Sequence, residues 1–384
     1  MNILFFDPVR LFNGNTGDSI HVRELVCNLS RLGHRVAVIC CTSKPVTDTT
    51  VEIIPTKSFN FRGGGLLGII WALVVGFIVA KRRHVDLVYV RGSKSFCGLI
   101  LSTLCRRPLV IEVNGIITDE LRISGKFQRD LIPRTSAWLN ETSYKYGKHI
   151  IAVSPGIEAV LKDDFGVDPE RVSVILNGVN ADLYVPKHTQ IARNELGLSK
   201  EHMYLCFVGH LVAWQGVDYL INCSPLVIER CPEAHFIVVG DGPLEEDFKR
   251  LAEQIGVIDN FTFTGAIQYE RVPLYISASD VCVVPKKPMR SGYSPLKLYN
   301  YMACAKPVIA TKTEGFAALD EYSCGLLVNP SILEELAAAI VRLFQDTELR
   351  KQMGENGRRY VVDNHSWQSV AKRVAEVCEI AVRR

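Results

Sequence analysis

The sequence predicts an α/β chain with two Rossmann-like domains, each built on a parallel sheet. Three observations carry this reading. First, 384 residues are more than one ordinary core holds. Second, short, nearly uninterrupted Val- and Ile-rich runs alternate with helical patterns in two successive sets, as strands covered on both faces do. Third, polar glycine clusters follow the runs, and open α/β sheets bind ligands beyond the carboxyl ends of their strands.

In the first set, strands are expected at 3–6, 36–39, 51–54, 87–90, 109–113, 149–153 and 172–175. The second set is 204–208, 235–239, 261–263, 281–284 and 308–309. Between them, residues 183–202 are polar, contain Pro186 and break the rhythm. The division is therefore placed to give domains 1–183 and 184–365, with a helix over 366–384 expected to pack back on the first. The glycine clusters are Asn13-Gly14-Asn15-Thr16-Gly17, Asn114-Gly115 and Ser154-Pro155-Gly156 in the first domain. Gly209, Gly240-Asp241-Gly242 and Thr264-Gly265 follow in the second. With both domains presenting such ends, the expected site is the cleft between them.

Apolar residues make up 48% and charged residues 22% of the chain, which excludes a disordered polymer. The net charge of +3 is uneven: residues 1–185 carry 22 Lys and Arg against 17 Asp and Glu, and the remainder 22 against 24. The front half leans toward anionic partners, or simply has a solvated basic surface. The twelve cysteines lack metal-ligand spacing and sit mostly in apolar runs, so they read as reduced core thiols of a cytoplasmic protein. The nine histidines form no paired cluster, and no metal is expected. The opening Met1-Asn2-Ile3-Leu4-Phe5-Phe6 reads as a strand rather than a signal peptide. No basic helix and no aromatic-basic interleaving suggests nucleic-acid binding.

Residues 63–80 contain no charge, and Lys81-Arg82-Arg83 follow at once. The length would allow a membrane span. The strands expected before and after it belong to one sheet, however, and a span would separate them. The reading favoured is a helix that packs on the sheet and also dips into a membrane interface, its basic cluster at the headgroups. A fully buried helix or a dimer contact would carry the same pattern. A peripheral location at the cytoplasmic membrane face follows from the favoured reading.

Residues 294–303 read as a helix start aimed at an anion. Ser294 suits the N-cap and Pro295 the first helical position. Free N–H groups and the positive helix end favour phosphate there. Lys297 and Asn300, three apart, share one face.

Several ordered motifs join this one in the second domain. They are Phe207-Val208-Gly209-His210-Leu211, Trp214-Gln215-Gly216, Val239-Gly240-Asp241-Gly242, Phe263-Thr264-Gly265, Ser294-Pro295-Leu296-Lys297-Leu298 and Gly325-Leu326-Leu327-Val328. Gly14, Gly17, His21, Glu24 and Gly33-His34-Arg35-Val36 open the first. Over nearly its whole length the chain resembles retaining glycosyltransferases of family 4, which have the GT-B fold, and within them a subgroup with Trp-Gln-Gly and Ser-Pro-Leu-Lys-Leu signatures.

The resemblance implies a metal-independent hexosyltransferase using a nucleotide-diphosphate sugar, with no protein nucleophile and no cofactor. Gly14 and Gly17 would approach the diphosphate. Gly209, Ala266 and Ile267 would line the nucleotide, with backbone groups at the last two holding the base. Ser294, Pro295, Leu296 and Lys297 would cradle phosphates, Asn300 would meet the ribose, and Asn114 and Gly115 would face the sugar or acceptor. His210, Gln215 and Lys297 are the candidates for stabilising charge on the leaving diphosphate.

Four positions depart from the family. Arginine and lysine are usual at 210 and 215, where His210 and Gln215 stand, and a glutamate pair is usual at Gly292 and Asn300. Lys297 is expected to substitute, and Lys286, Lys287 and Arg290 could add charge. Replacing a charged hydrogen bond at 300 by a neutral one costs about 1 kcal/mol, which weakens donor binding without abolishing it. The expected acceptor is a lipid-linked or cell-envelope glycan, as in polysaccharide biosynthesis. A non-catalytic sugar-nucleotide-binding or partner protein is the alternative the departures allow. An epimerase acting on the sugar nucleotide is a weaker one.

Overall fold

The computed structural model describes residues 1–14, 16–41, 51–56, 65–92, 94–123 and 131–383, and for residues 9, 10, 65, 66, 131–133 and 314 the backbone alone. The chain forms two compact units: residues 1–177, 290–294 and 367–384, and residues 178–289 and 295–366.

The first unit is a parallel seven-stranded sheet. In chain order its strands are β1 (Asn2–Leu11), β2 (Arg35–Cys41), β3 (Glu52–Pro55), β4 (Leu87–Arg91), β5 (Leu109–Val113), β6 (His149–Ala152) and β7 (Val172–Val174), and their spatial order is β3-β2-β1-β4-β5-β6-β7. β1 runs past the expected end at Phe6. It pairs with β4 only over Ile3–Phe6, and its later residues pair with β2 alone. Pro8 lies beyond the β4 pairing, where its missing N–H costs the sheet nothing. The central strands β4, β5 and β6 are buried on both faces; Phe5 stacks on Tyr89 with centroids 5.0 Å apart.

Two helices cover this sheet in ways the sequence encodes directly. Trp367–Arg383 buries Trp367, Val370, Ala371, Val374, Ala375, Cys378 and Ala381, a stripe at helical spacing, and lies within the first unit. Gly65–Arg82 turns Ala72, Ala80, Leu73, Val75 and Val79 to the core. Its other face leaves Leu67, Ile70, Trp71, Val74, Phe77 and Ile78 exposed. Gly63 and Gly64 of the apolar segment lie outside the described residues. Strands β3 and β4, which flank this helix in sequence, share one sheet, so the helix does not divide them across a bilayer. Among the described residues no helix is long and apolar enough to cross a membrane.

The second unit holds a parallel six-stranded sheet: β8 (Met203–Val208), β9 (Ala234–Val239), β10 (Phe261–Phe263), β11 (Val281–Val284), β12 (Val308–Thr311) and β13 (Gly325–Val328), in spatial order β10-β9-β8-β11-β12-β13. The last strand was not foreseen, because it is short and opens on glycine. A Cβ at Gly325 would lie 2.0 Å from the Val308 carbonyl oxygen, so close strand pairing selects the glycine. The polar stretch 183–202 contains the helix Thr189–Leu196. Its Arg193 is buried, 2.6 Å from Asp280. All twelve cysteines are free thiols.

Candidate functional site

In the second unit the ends of three neighbouring strands are tied by backbone hydrogen bonds. Gly209 donates to Val239 and Gly240 donates to Gly265. The approach is close: a Cβ at Gly240 would lie 2.2 Å from the Gly209 oxygen. Above this floor the helix Leu296–Ala303 begins, and Tyr301 anchors it by accepting a 2.7 Å hydrogen bond from the Val208 N–H through its hydroxyl.

Lys297, on the first turn of that helix, is half-buried and lays its ammonium across the floor. Nζ donates to Gln215 Oε1 at 2.6 Å and sits 4.3 Å from the Phe207 ring centroid. A side chain at 209 would collide with it, since a Cβ there would come within 2.4 Å of Nζ. Gln215 is brought up by the turn Ala213–Gln215, which ends at Gly216 with φ 74°. A Cβ at Gly216 would fall 1.7 Å from the Pro285 oxygen, so only glycine closes this turn. Three predicted residues, Gly209, Gln215 and Lys297, thus meet at one point. Burial lowers the Lys297 pKa well below the usual lysine value, and the like charge of Lys286 adds to the effect.

His210 is exposed beside the same floor, with Nδ1 2.8 Å from the Asp241 carbonyl oxygen. That contact assigns the proton to Nδ1 and turns Nε2 outward. Ala266 is exposed and Ile267 half-buried in the turn after β10. Asn300 is half-buried on the helix and follows Lys297 by three residues. Trp214 is half-buried, and its carbonyl accepts from the Lys287 N–H.

Two expectations need correction. Ser294 does not cap the helix. The cap position is Pro295, with no side-chain cap bond, while the Ser294 hydroxyl accepts from Asn177 in the first unit. Proline at the cap leaves the N–H groups of residues 296–298 without intrahelical acceptors, so the anion-attracting end remains. Nor do Lys287 and Arg290 supply spare charge: Lys287 pairs with Asp218 at 2.7 Å, and Arg290 pairs with Asp164 at 2.7 Å within the first unit.

In the first unit, the helix Gly17–Arg31 starts at Thr16, whose hydroxyl accepts from the Ser19 N–H. Gly14 packs against Ser19, a Cβ there meeting Ser19 Oγ at 2.8 Å. Asn15 lies outside the described residues. Asn114 reaches Asp18 Oδ1 at 3.5 Å, and Gly115 is held against Glu120, where a Cβ would lie 2.6 Å from Oε1. Gly17 and Asn114 therefore share a neighbour, Asp18.

Beneath Asp18 is a buried polar cluster of which only His21 belongs to a sequence motif. Arg91 donates to Asp18 at 2.8 Å and to Glu112 at 2.7 Å, and Tyr89 donates to Glu112 at 2.5 Å. His21 Nε2 lies 2.9 Å from Glu112 Oε1, and its ring packs edge-on to Trp367 at 4.8 Å. Burial works against the Glu112 carboxylate, but His21, Arg91 and the Tyr89 hydroxyl hold its pKa down at about 2. Burial, with Arg91, lowers the pKa of His21. The available signal was a charged residue inside or ending an apolar run, as in Leu87–Arg91 and Leu109–Val113. Among the described residues, no group of three or more His, Cys, Asp or Glu could hold a metal ion.

Comparison with known proteins agrees with this architecture. Residues 16–183 match the model of Glycosyltransferase Family 4, and residues 188–360 match that of Glycosyl transferases group 1. An uncharacterized glycosyltransferase of Methanocaldococcus jannaschii is 25% identical over 95% of both chains. A GDP-mannose-dependent alpha-(1-6)-phosphatidylinositol monomannoside mannosyltransferase of Mycolicibacterium smegmatis is 29% identical over 52% of this chain and 54% of its own. Among solved structures, sucrose-phosphate synthase from Thermosynechococcus elongatus superposes with a TM-score of 0.82 at 21% identity, covering 98% of each chain. The fold is that of the GT-B glycosyltransferases. Its two domain models, one for each half, place the chain among the family 4-like glycosyltransferases, and its homologues are glycosyltransferases.

Proposed function

We propose that the protein transfers a hexose, with retention, from a nucleotide-diphosphate sugar to a lipid-linked or cell-envelope glycan. The observation that carries this is the Lys297 ammonium, held over Gly209 by Gln215 at the open end of a helix. The leaving diphosphate gains negative charge as the bond from the sugar's anomeric carbon to phosphate oxygen breaks. A partly desolvated cation and free helix N–H groups lower that barrier. His210, exposed beside the same floor, is a further side chain placed to meet the diphosphate. The acceptor oxygen forms the new bond on the same face, and its proton passes to the departing phosphate oxygen. No protein nucleophile and no metal enter this scheme.

In the same reading, Leu296 and Pro295 shape the phosphate cradle with Ser294, Asn300 meets the ribose, and the turn at Ala266 and Ile267 meets the base. Gly14, Gly17, Asn114 and Gly115 serve the sugar and acceptor, with Asp18 and its buried support holding their loops. The exposed apolar face of Gly65–Arg82, ending in Lys81 and Arg82, supports peripheral attachment at the cytoplasmic membrane face, where a lipid-linked acceptor resides. The named activity of the mycobacterial relative, on a phosphatidylinositol mannoside, points the same way.

The test is a panel of UDP-, GDP-, ADP- and TDP-sugars with a lipid extract as acceptor. Release of one nucleoside diphosphate, reduced about 100-fold or more by Lys297→Ala, is the expected result. Donor-induced stabilisation without release across several acceptor pools would contradict transfer.

A further inference from the structure

The helices Gly65–Arg82 and Ser95–Cys105 end side by side, and a cavity of about 230 Å³ opens between their ends. Ala80, Lys81, His84, Cys105 and Arg107 line it. Three of the five are basic. No carboxylate pairs with Lys81, His84 or Arg107 among the described residues, whereas the adjacent Arg83 is paired with Glu52 at 2.6 Å. Complementing the helix dipole accounts for Lys81 and Arg82 in a last turn. It does not account for His84 or Arg107, which lie beyond the helices.

The backbone holds these groups in place. His84 and Arg106 both adopt left-handed conformations, with φ 49° and 54°, which cost energy for residues other than glycine. Asn2 Nδ2 donates to the His84 carbonyl, and Ser102 Oγ donates to the Arg107 carbonyl at 2.6 Å. The cavity also continues the apolar face: Lys81 Nζ lies 5.6 Å from the Phe77 ring centroid, and Trp71, Val74 and Ile78 extend the exposed stripe from there. One concave basic site at the foot of one apolar stripe matches one amphiphile, a phosphate with acyl chains.

We propose that this cavity binds the phosphate of an anionic phospholipid, with the acyl region against Trp71, Val74, Phe77 and Ile78. The proposal deepens the membrane-face reading above and is independent of donor chemistry. Its test is co-sedimentation of the full chain with phosphatidylcholine vesicles, with and without phosphatidylglycerol, in the absence of donor and acceptor. The wild type is expected to bind only the phosphatidylglycerol vesicles.

A generic basic surface predicts equal losses for any two neutralised cations, about fivefold for each. The cavity predicts that Lys81→Gln/Arg107→Gln loses at least about tenfold more than the charge-matched Arg82→Gln/Arg106→Asn. Equal losses in the two variants would overturn the site. Release by Trp71→Ser/Phe77→Ser, with none by the cavity variant, would also overturn it while leaving membrane contact standing. Stabilisation by inorganic phosphate with no vesicle binding would overturn the lipid as its ligand. Circular dichroism melts of each variant separate these results from unfolding, and donor turnover reports separately on glycosyl transfer.

Discussion

Lys297 shows what a single residue gains from its surroundings. In sequence it is one cation on a helix; in the fold its ammonium is enclosed by Phe207, Gly209 and Gln215. Its lowered pKa sets the sign of two outcomes. The unfolded chain holds that proton more tightly, so the group's penalty on the unliganded fold is fully present below the depressed value and vanishes as pH rises toward 10.5. Lys297→Met should therefore raise the melting temperature of the unliganded protein. It should also cut turnover. A bound diphosphate reverses the penalty, so binding should take up a proton and weaken by up to about tenfold per pH unit above the free-state value. Titration calorimetry in buffers of different ionisation enthalpy, run over a series of pH values up to the ordinary lysine range, measures that uptake, and its absence throughout would remove Lys297 from the anion site. Glu112 has the opposite sign. Its stabilising effect is complete above 4.5 and is lost as pH falls toward about 2. Glu112→Gln should cost about 3–5 kcal/mol near neutrality, the usual result of leaving a buried partner unpaired. It should also flatten the acid limb of the unfolding profile, as denaturant melts at a series of pH values would show.

Among the elements, the turn Ala213–Gln215 and the glycine after it place the residue that holds Lys297. Gly216 and Gly256 have similar left-handed angles, φ 74° and 79°, but only Gly216 is crowded. Gly256→Ala should therefore cost about 1 kcal/mol, from backbone conformation alone. Gly216→Ala should cost at least about 1–3 kcal/mol more, because the Pro285 carbonyl must move. Turnover should fall with it as Gln215 shifts. Equal effects in chemical melts would mean that the turn is less constrained than its geometry shows. The Trp-Gln-Gly order was visible in the sequence. The contact that makes the glycine obligatory was not, since Pro285 is distant in the chain. The same holds for β13, whose glycine hides a strand from any propensity argument, and for Ser294, which looks like a helix cap until its hydroxyl is found accepting from Asn177.

For the molecule as a whole, the apolar helix Gly65–Arg82 has the largest consequence. A helix apolar on every side is ordinarily buried, yet here one side stays exposed, with Leu67 at 69% and Trp71 at 49%. Trp71→Ser/Phe77→Ser is expected to abolish sedimentation with anionic vesicles and to leave turnover on a soluble acceptor analogue within about twofold. Those positions pack against no core, and surface changes of this kind move stability by about 0.5 kcal/mol or less. Undiminished vesicle binding would move membrane contact elsewhere. By itself the sequence determined the two parallel-sheet domains, most strand positions and the glycine-rich strand ends, because buried parallel strands and close backbone approaches restrict residue type locally. It also carried the resemblance to the family 4-like glycosyltransferases that the two domain models support. Only the tertiary structure decided which face of the apolar helix is exposed, that Lys297 meets Gln215 and Gly209, and that Arg91, Glu112 and His21 form one buried cluster. Each of these joins residues far apart in the chain, and ion pairing, burial and steric fit act on neighbours in space.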